Sequence, residues 1–171
     1  MTQELIDLRK SILDGRYDDA LAIVDELEGM SRQAILRNIK SFLSILVIHL
    51  IKNQVEQRLT SSWANSIRTS IREIKKLNLQ DNKTSYYVKL DEWERLLEEE
   101  IVEDAIALAS EEVFNGTYNQ FQLSEIVDRT QIIQIGQNLL ALTYTHSAKE
   151  LPTALTESLI PLPGGEDWIN R

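Results

Sequence analysis

Residues 42–51 read Phe-Leu-Ser-Ile-Leu-Val-Ile-His-Leu-Ile, the longest apolar stretch of the chain. On a helix of about 3.6 residues per turn these side chains cover almost the whole circumference. A helix that is apolar on all sides is buried on all sides. The stretch therefore predicts the central helix of an all-α bundle, which we expect to run over residues 31–57.

Segments with helical periodicity lie on both sides of this central helix. No proline precedes Pro152, and three of the glycines before it stand where the periodicity stops, as C-terminal capping residues do: Gly15, Gly29 and Gly116. The predicted helices cover residues 4–14, 18–28, 31–57, 62–77, 91–114, 120–127 and 130–142. We expect a bundle of five or six helices around the central apolar one.

The last part of the chain has a different composition. Residues 143–171 hold all three prolines and a Gly-Gly pair, without a sustained period. We predict a helical bundle domain over residues 1–142 and an irregular C-terminal tail over 143–171, with one short turn at 153–158. Trp168 is a candidate anchor for docking this tail on a neighbouring chain.

Charge is unevenly distributed along the chain. The net charge is −9, and residues 91–112 hold ten acids against one arginine. The balance reverses in residues 58–77, whose bases are Arg58, Arg68, Arg72, Lys75 and Lys76 against Glu73 alone. We expect these two segments to pair within the fold. Because overall acidity repels phosphate backbones, nucleic acid is not an expected partner.

Two further features favour a cytoplasmic protein without a membrane partner. Residues 1–5 lack the basic and apolar regions of a signal peptide. The stretch 42–51 is shorter than the ~20 residues needed to cross a bilayer. The chain has no cysteine, which excludes disulfides and thiolate metal sites.

Four short stretches carry a resemblance to a known family. They read His-Leu-Ile-Lys at 49–52, Ser-Trp-Ala-Asn-Ser-Ile-Arg at 62–68, Ile-Arg-Glu-Ile at 71–74 and Glu-Asp-Ala at 103–105. On these residues the chain resembles the bacterial domain of unknown function family numbered twenty-nine, common in cyanobacteria and proteobacteria. The resemblance covers residues 18–142 and implies a helical bundle in a bacterial cytoplasm, with no activity to carry over. Relatives often have an aromatic residue after the lysine, where this chain has Asn53.

Asp104 falls in the apolar stripe of the fifth predicted helix. Steps of about 100° per residue place it on the face that carries Leu97 and Leu108. A buried carboxylate without a partner costs several kcal/mol, so we expect a pair with Arg68 or Lys75. The alternatives are a ligand-binding or catalytic carboxylate, or a helix register that exposes Asp104 to water.

His49 lies on a mixed face, where we expect partial burial and a hydrogen bond to a neighbouring carboxylate or carbonyl. The positions that a second helical metal ligand would occupy hold Lys52 and Asn53, so no metal is predicted. Trp63 is predicted as a core anchor of its helix. The chain has no nucleophile elbow and no phosphate loop, and we predict no catalytic or cofactor-binding residue.

Five residues form a candidate polar cluster: His49, Trp63, Arg68, Arg72 and Asp104. The leading hypothesis is a non-enzymatic helical protein that acts by binding another macromolecule or itself. The alternative is a small-ligand-binding protein or an enzyme, in which Asp104 acts as base or anion partner and the arginines hold an acidic substrate. That alternative requires these groups to line an open cleft.

Overall fold

The computed structural model describes residues 2–80 and 84–171. These residues form helices and no β-strand. The all-α class predicted from the sequence is confirmed. The helices are α1 (Gln3–Leu13), α2 (Tyr17–Glu56), α3 (Ser61–Asn78), α4 (Trp93–Leu96), α5 (Val102–Ser110), α6 (Gln120–Ile126), α7 (Arg129–Thr145), α8 (Leu151–Leu159) and α9 (Gly165–Ile169). The chain divides into two compact units, Met1–Asn38 and Ile39–Arg171.

The first unit consists of α1, a tight turn and the first part of α2. Gly15 makes the turn with a φ of 74°, a left-handed conformation that glycine adopts without strain. Arg16 forms ion pairs across the turn with Asp14 at 3.4 Å and Asp19 at 3.2 Å.

The helices predicted at 18–28 and 31–57 are one continuous helix, α2, and the prediction that Gly29 ends a helix is wrong. No proline interrupts this region, and a glycine inside a helix costs only about 1 kcal/mol relative to alanine. The boundary between the two units falls within α2.

The second unit has its core around the apolar stretch of α2, as predicted. Four of its side chains are at most 1% exposed: Leu43, Leu46, Val47 and Leu50. The stripe predicted for α3 is also buried, namely Trp63, Ile67, Ile71 and Ile74. This helix packs against α7 and α8.

A π turn, Leu97–Ile101, separates α4 from α5 where the sequence predicted one uninterrupted helix. A π turn bonds each residue to the fifth one along instead of the fourth, so later residues rotate by about 100°. Trp93 before the turn and Leu97 at its first position are buried, and the buried apolar positions after it are Val102, Ala105, Ile106 and Ala109.

The predicted irregular tail contains two helices, α8 and α9. α8 packs against α3 and α7 and buries Leu151, Leu155 and Leu159, which are four residues apart on one face. Pro152 lies in the first turn of α8, where a proline breaks no helical hydrogen bond. The three prolines of residues 143–171 led to the prediction of an irregular tail. In the structure they lie at the start of α8 and between α8 and α9. The boundary at residue 142 stays a prediction, and α7 extends past it to Thr145.

Two glycines set the path of the chain into α9. A Cβ at Gly164, whose φ is 72°, would lie 2.7 Å from the Cα of Arg58. A Cβ at Gly165 would lie 2.2 Å from the carbonyl oxygen of Ile160. Only glycine fits at these contacts, and Trp168 beyond them is 3% exposed. Trp168 is therefore enclosed by its own chain.

By length and composition alone, α2 is long and apolar enough to cross a membrane. The core helix of a bundle satisfies the same criterion, and the side chains of residues 43, 46, 47 and 50 are buried in the second unit.

Candidate functional site

Asp104 is exposed on α5, so the prediction that it is buried in an apolar stripe is wrong. The cause is the π turn Leu97–Ile101, whose extra residue turns both Asp104 and Leu108 out of the stripe. Leu108 is accordingly 53% exposed. The structure therefore agrees with the third possibility for Asp104, a helix register that exposes its side chain to water.

Three of the α3 bases, Arg68, Arg72 and Lys75, bind uncharged oxygens. Arg68 donates to Thr156 Oγ1 at 3.1 Å and to Asn65 Oδ1 at 2.7 Å, Arg72 donates to Thr69 Oγ1 at 3.3 Å, and Lys75 Nζ donates to the carbonyl oxygen of Thr143 at 2.8 Å. None of these contacts neutralises a positive charge.

Four of the ten acids of residues 91–112 form ion pairs, all with cations outside residues 58–77. Their ion pairs are Glu100 with Lys40 at 2.9 Å, Glu112 with Lys52 at 3.5 Å, Glu103 with Arg129 at 2.6 Å, and Glu99 with Arg95 at 3.0 Å. The predicted pairing of segment 91–112 with segment 58–77 is therefore wrong, since no ion pair within the described part of the chain joins them. The cations come instead from α2, α4 and α7.

The pKa of Arg68 is affected by its surroundings on α3. Burial lowers the pKa of Arg68, and the neighbouring positive charges of Arg72 and Arg171 lower it further. Like charges thus gather on this side of α3, where an acidic group from outside the chain would be stabilised.

A pocket of about 280 Å³ opens beside these bases. Its lining, which we name the basic pocket, consists of Arg72, Lys75, Lys76, Leu79, Tyr86, Ala148 and Leu151. Arg72 and Lys76 are exposed and Lys75 is half-buried. The basic pocket therefore combines three cations with an apolar surface.

One side of the basic pocket is held by hydrogen bonds from a buried asparagine. The side chain of Asn78 donates to the carbonyl oxygen of Val88 at 2.9 Å and accepts from the Val88 amide at 2.7 Å. These bonds draw the chain back beside α3, where the ring of Tyr86 packs edge-on against Tyr144 at 4.7 Å. Burial raises the pKa of Tyr144 to about 12, so its hydroxyl stays protonated and donates to the Val88 carbonyl at 2.6 Å. The Tyr86 side of the pocket is preformed.

His49 is half-buried on α2, and its Nδ1 lies 2.8 Å from the carbonyl oxygen of Ile45, as predicted. A carbonyl only accepts, so Nδ1 carries the proton. Burial lowers the pKa of His49, the bond to Ile45 raises it, and the charges of Lys52 and Glu112 lower and raise it respectively. The net direction is downward, which favours the neutral imidazole.

Trp63 is 8% exposed, which confirms its predicted role as a core anchor. Thr60 caps α3 by accepting from the Trp63 amide at 3.1 Å. Lys52 Nζ lies 4.9 Å and the Arg58 guanidinium 4.7 Å from the indole ring, both within cation–π range.

The five residues of the predicted polar cluster do not form one site. Within the described part of the chain, no hydrogen bond, ion pair or ring contact joins Asp104 to His49, Trp63, Arg68 or Arg72. Of these five, only Arg72 lines the basic pocket. No sequence pattern indicates the apolar lining, because it comes from separate segments that only the fold brings together.

Comparison with known proteins identifies a family for this chain. No curated protein and no solved structure matches the chain. The family described as "Domain of unknown function DUF29" matches residues 14–135, which is more than half of the chain.

Proposed function

The chain belongs to the DUF29 family of domains of unknown function. Because the family supplies no activity, we propose a role from the geometry of the basic pocket. The protein binds another protein by accepting an acidic segment with one apolar anchor residue into the basic pocket. The observation that carries this proposal is the pocket itself, in which three cations adjoin an apolar lining.

The charges of the basic pocket support an acidic partner. Within the described residues, Arg72 and Lys75 form no ion pair, and Lys76 pairs with Glu73 on the surface at 3.2 Å. A carboxylate placed between Arg72 and Lys75 would add charge-assisted hydrogen bonds, which are about twice as strong as neutral ones.

The size of the basic pocket supports a protein segment over a cofactor. Pockets that hold drug-sized ligands measure roughly 300–1,000 Å³, and this one measures about 280 Å³. That volume suits one bulky side chain. The apolar lining from Leu79, Tyr86 and Leu151 would enclose such an anchor while the cations contact acids on either side of it.

The net charge of the chain determines how binding depends on salt. A chain of net charge −9 repels an acidic partner at long range. Charges more than ~8 Å apart are largely screened at physiological ionic strength, so the local cations dominate once the partner is in contact. Binding should therefore be weak at very low salt, strongest at intermediate salt and weak again at high salt.

Fluorescence anisotropy with a defined probe tests this proposal. The probe is a labelled peptide of glutamate and aspartate with one central tryptophan, and the comparison peptide has alanine in place of the tryptophan. We expect Arg72→Glu to weaken binding at least about tenfold, equivalent to ~1.4 kcal/mol. Ala148→Trp, which fills the pocket without changing charge, should remove the preference for the tryptophan peptide.

The matched control is Arg9→Glu, which changes the net charge equally at an exposed position of α1. Equal losses of affinity in Arg9→Glu and Arg72→Glu would mean that only net charge matters and would refute the proposed pocket. Equal binding of both peptides by the wild type would refute the proposed role of the apolar anchor residue.

A further inference from the structure

The first unit, Met1–Asn38, presents large apolar side chains to solvent. Among its described residues only Ser11 and Ala20 are buried. The exposed large apolar residues are Leu5, Ile6, Ile12, Leu13, Tyr17, Leu21 and Met30. Surfaces of this kind on soluble proteins mark interaction sites, because burying them on a partner removes apolar area from water.

The α2 portion of this unit carries a stripe whose chemistry is symmetric about its centre. The α2 stripe consists of Leu21, Asp25, Gly29, Arg32 and Leu36. Steps of three or four residues place these positions along one helix face. Read in either direction, the order is apolar, charged, glycine, charged, apolar, and the two charges are opposite. Four of the positions are exposed and Leu36 is half-buried.

A second copy of the same stripe fits it in one direction only. When two copies run antiparallel about a two-fold axis beside Gly29, Leu21 meets the second copy's Leu36 and Asp25 meets the second copy's Arg32. The two-fold symmetry makes both contacts twice. A parallel pair in register would set Asp25 against Asp25 and Arg32 against Arg32, which like-charge repulsion disfavours.

The wider charge distribution along α2 agrees with the antiparallel direction. Residues 18–28 hold five acids and no base, while residues 29–38 hold two bases and no acid. An antiparallel partner brings the acidic half of each copy opposite the basic half of the other. Charge complementarity of this kind fixes the register and suppresses wrong pairings.

Gly29 at the axis allows the two helix backbones to approach closely. A Cβ added there would meet nothing within 4 Å, so the space beside it is open. A glycine inside a helix costs about 1 kcal/mol relative to alanine. The contact between two copies gives this cost a structural reason.

We infer that the first unit binds a second copy of this chain, through antiparallel contact of the two α2 stripes. The contact uses no residue of the basic pocket, so it stands apart from the proposed function.

Light scattering of the full chain, combined with a charge-swap pair, tests the inference. The wild type should be a dimer, and Asp25→Arg and Arg32→Asp should each weaken dimerisation at least about tenfold because each sets like charges face to face twice. An equimolar mixture of the two variants should form a one-to-one heterodimer, since both cross-contacts are then between opposite charges. Differently tagged copies make this heterodimer measurable.

Gly29→Leu provides a variant that raises helix propensity and blocks the close approach. It should keep or increase the helical circular dichroism signal while dissociating the dimer, which separates loss of contact from loss of folding. Arg72→Glu should leave the dimer unchanged and serves as the control.

Three results would overturn the inference. The first is a wild type that stays monomeric at its highest soluble concentration. The second is a pair of charge variants that dimerise as the wild type does or fail to combine when mixed. The third is a Gly29→Leu variant that remains dimeric.

Discussion

His49 and Lys52 lie one turn apart on α2, and both are withdrawn from water to different extents. Lys52 is 8% exposed, and its Nζ lies 3.5 Å from Glu112 and over the ring of Trp63. Among the described residues, the hydrogen-bond acceptor of His49 is the Ile45 carbonyl, at 2.8 Å. A lysine with an acid and an aromatic face tolerates burial, whereas a histidine without an acid in contact is more stable in its neutral form.

The lowered pKa of His49 predicts a dependence of stability on pH. The imidazole titrates near 6.5 in the unfolded chain and lower in the folded one, so the unfolded state binds more protons between these values. The free energy of unfolding should therefore fall as the pH drops below 6.5. His49→Gln keeps an N–H donor for Ile45 and does not titrate, so its stability should fall less over this window.

Urea unfolding at a series of pH values measures this difference. Parallel curves for the wild type and His49→Gln would show that His49 makes no pH-dependent contribution.

The π turn Leu97–Ile101 acts at the scale of an element, because it sets which face of α5 is buried. Without it, Asp104 and Leu108 would turn inward and Ile106 would turn outward. The sequence places no proline or glycine there, so neither composition nor periodicity reveals the turn. The buried positions of α5 follow from packing against the neighbouring α6.

Deleting Glu99 tests whether the π turn determines which face of α5 is buried. The deletion restores an ordinary helical spacing, which sets Asp104 toward the core, and should lower the free energy of unfolding by about 3 kcal/mol or more. Glu99→Ala removes the same exposed side chain and its ion pair with Arg95 without changing the spacing, and should cost less than about 1 kcal/mol. If chemical denaturation gave equal losses for both variants, the π turn would not control the burial of α5.

At the scale of the second unit, α8 belongs to the packed core. It contacts both α3 and α7, and Leu155 at its centre is fully buried. The contacts of α8 also complete the basic pocket, since Leu151 is part of its lining. The family match ends at residue 135, before this helix.

Leu155→Ala should therefore lower the free energy of unfolding of the whole unit by about 2–5 kcal/mol through the cavity it creates. The exposed Glu157→Ala, on the same helix, should change it by less than about 0.5 kcal/mol. Circular dichroism and tryptophan fluorescence should report the same shifted transition. A separate early transition in Leu155→Ala would instead indicate that residues 143–171 unfold on their own, as the predicted domain boundary implies.

The sequence by itself determined the helical class, the central position of residues 42–51, the buried face of α3 and the family. Each of these depends on local periodicity, or on short stretches of residues that stay together along the chain. Only the tertiary structure decided which cations meet the acids of residues 91–112, which face of α5 is buried, and that residues 143–171 fold onto α3 and α7. These features depend on contacts between distant segments and on a single extra residue in a helical turn. A helix carries the same side-chain period whichever partner it meets, so its sequence specifies a face and leaves the partner to the packing of the whole chain.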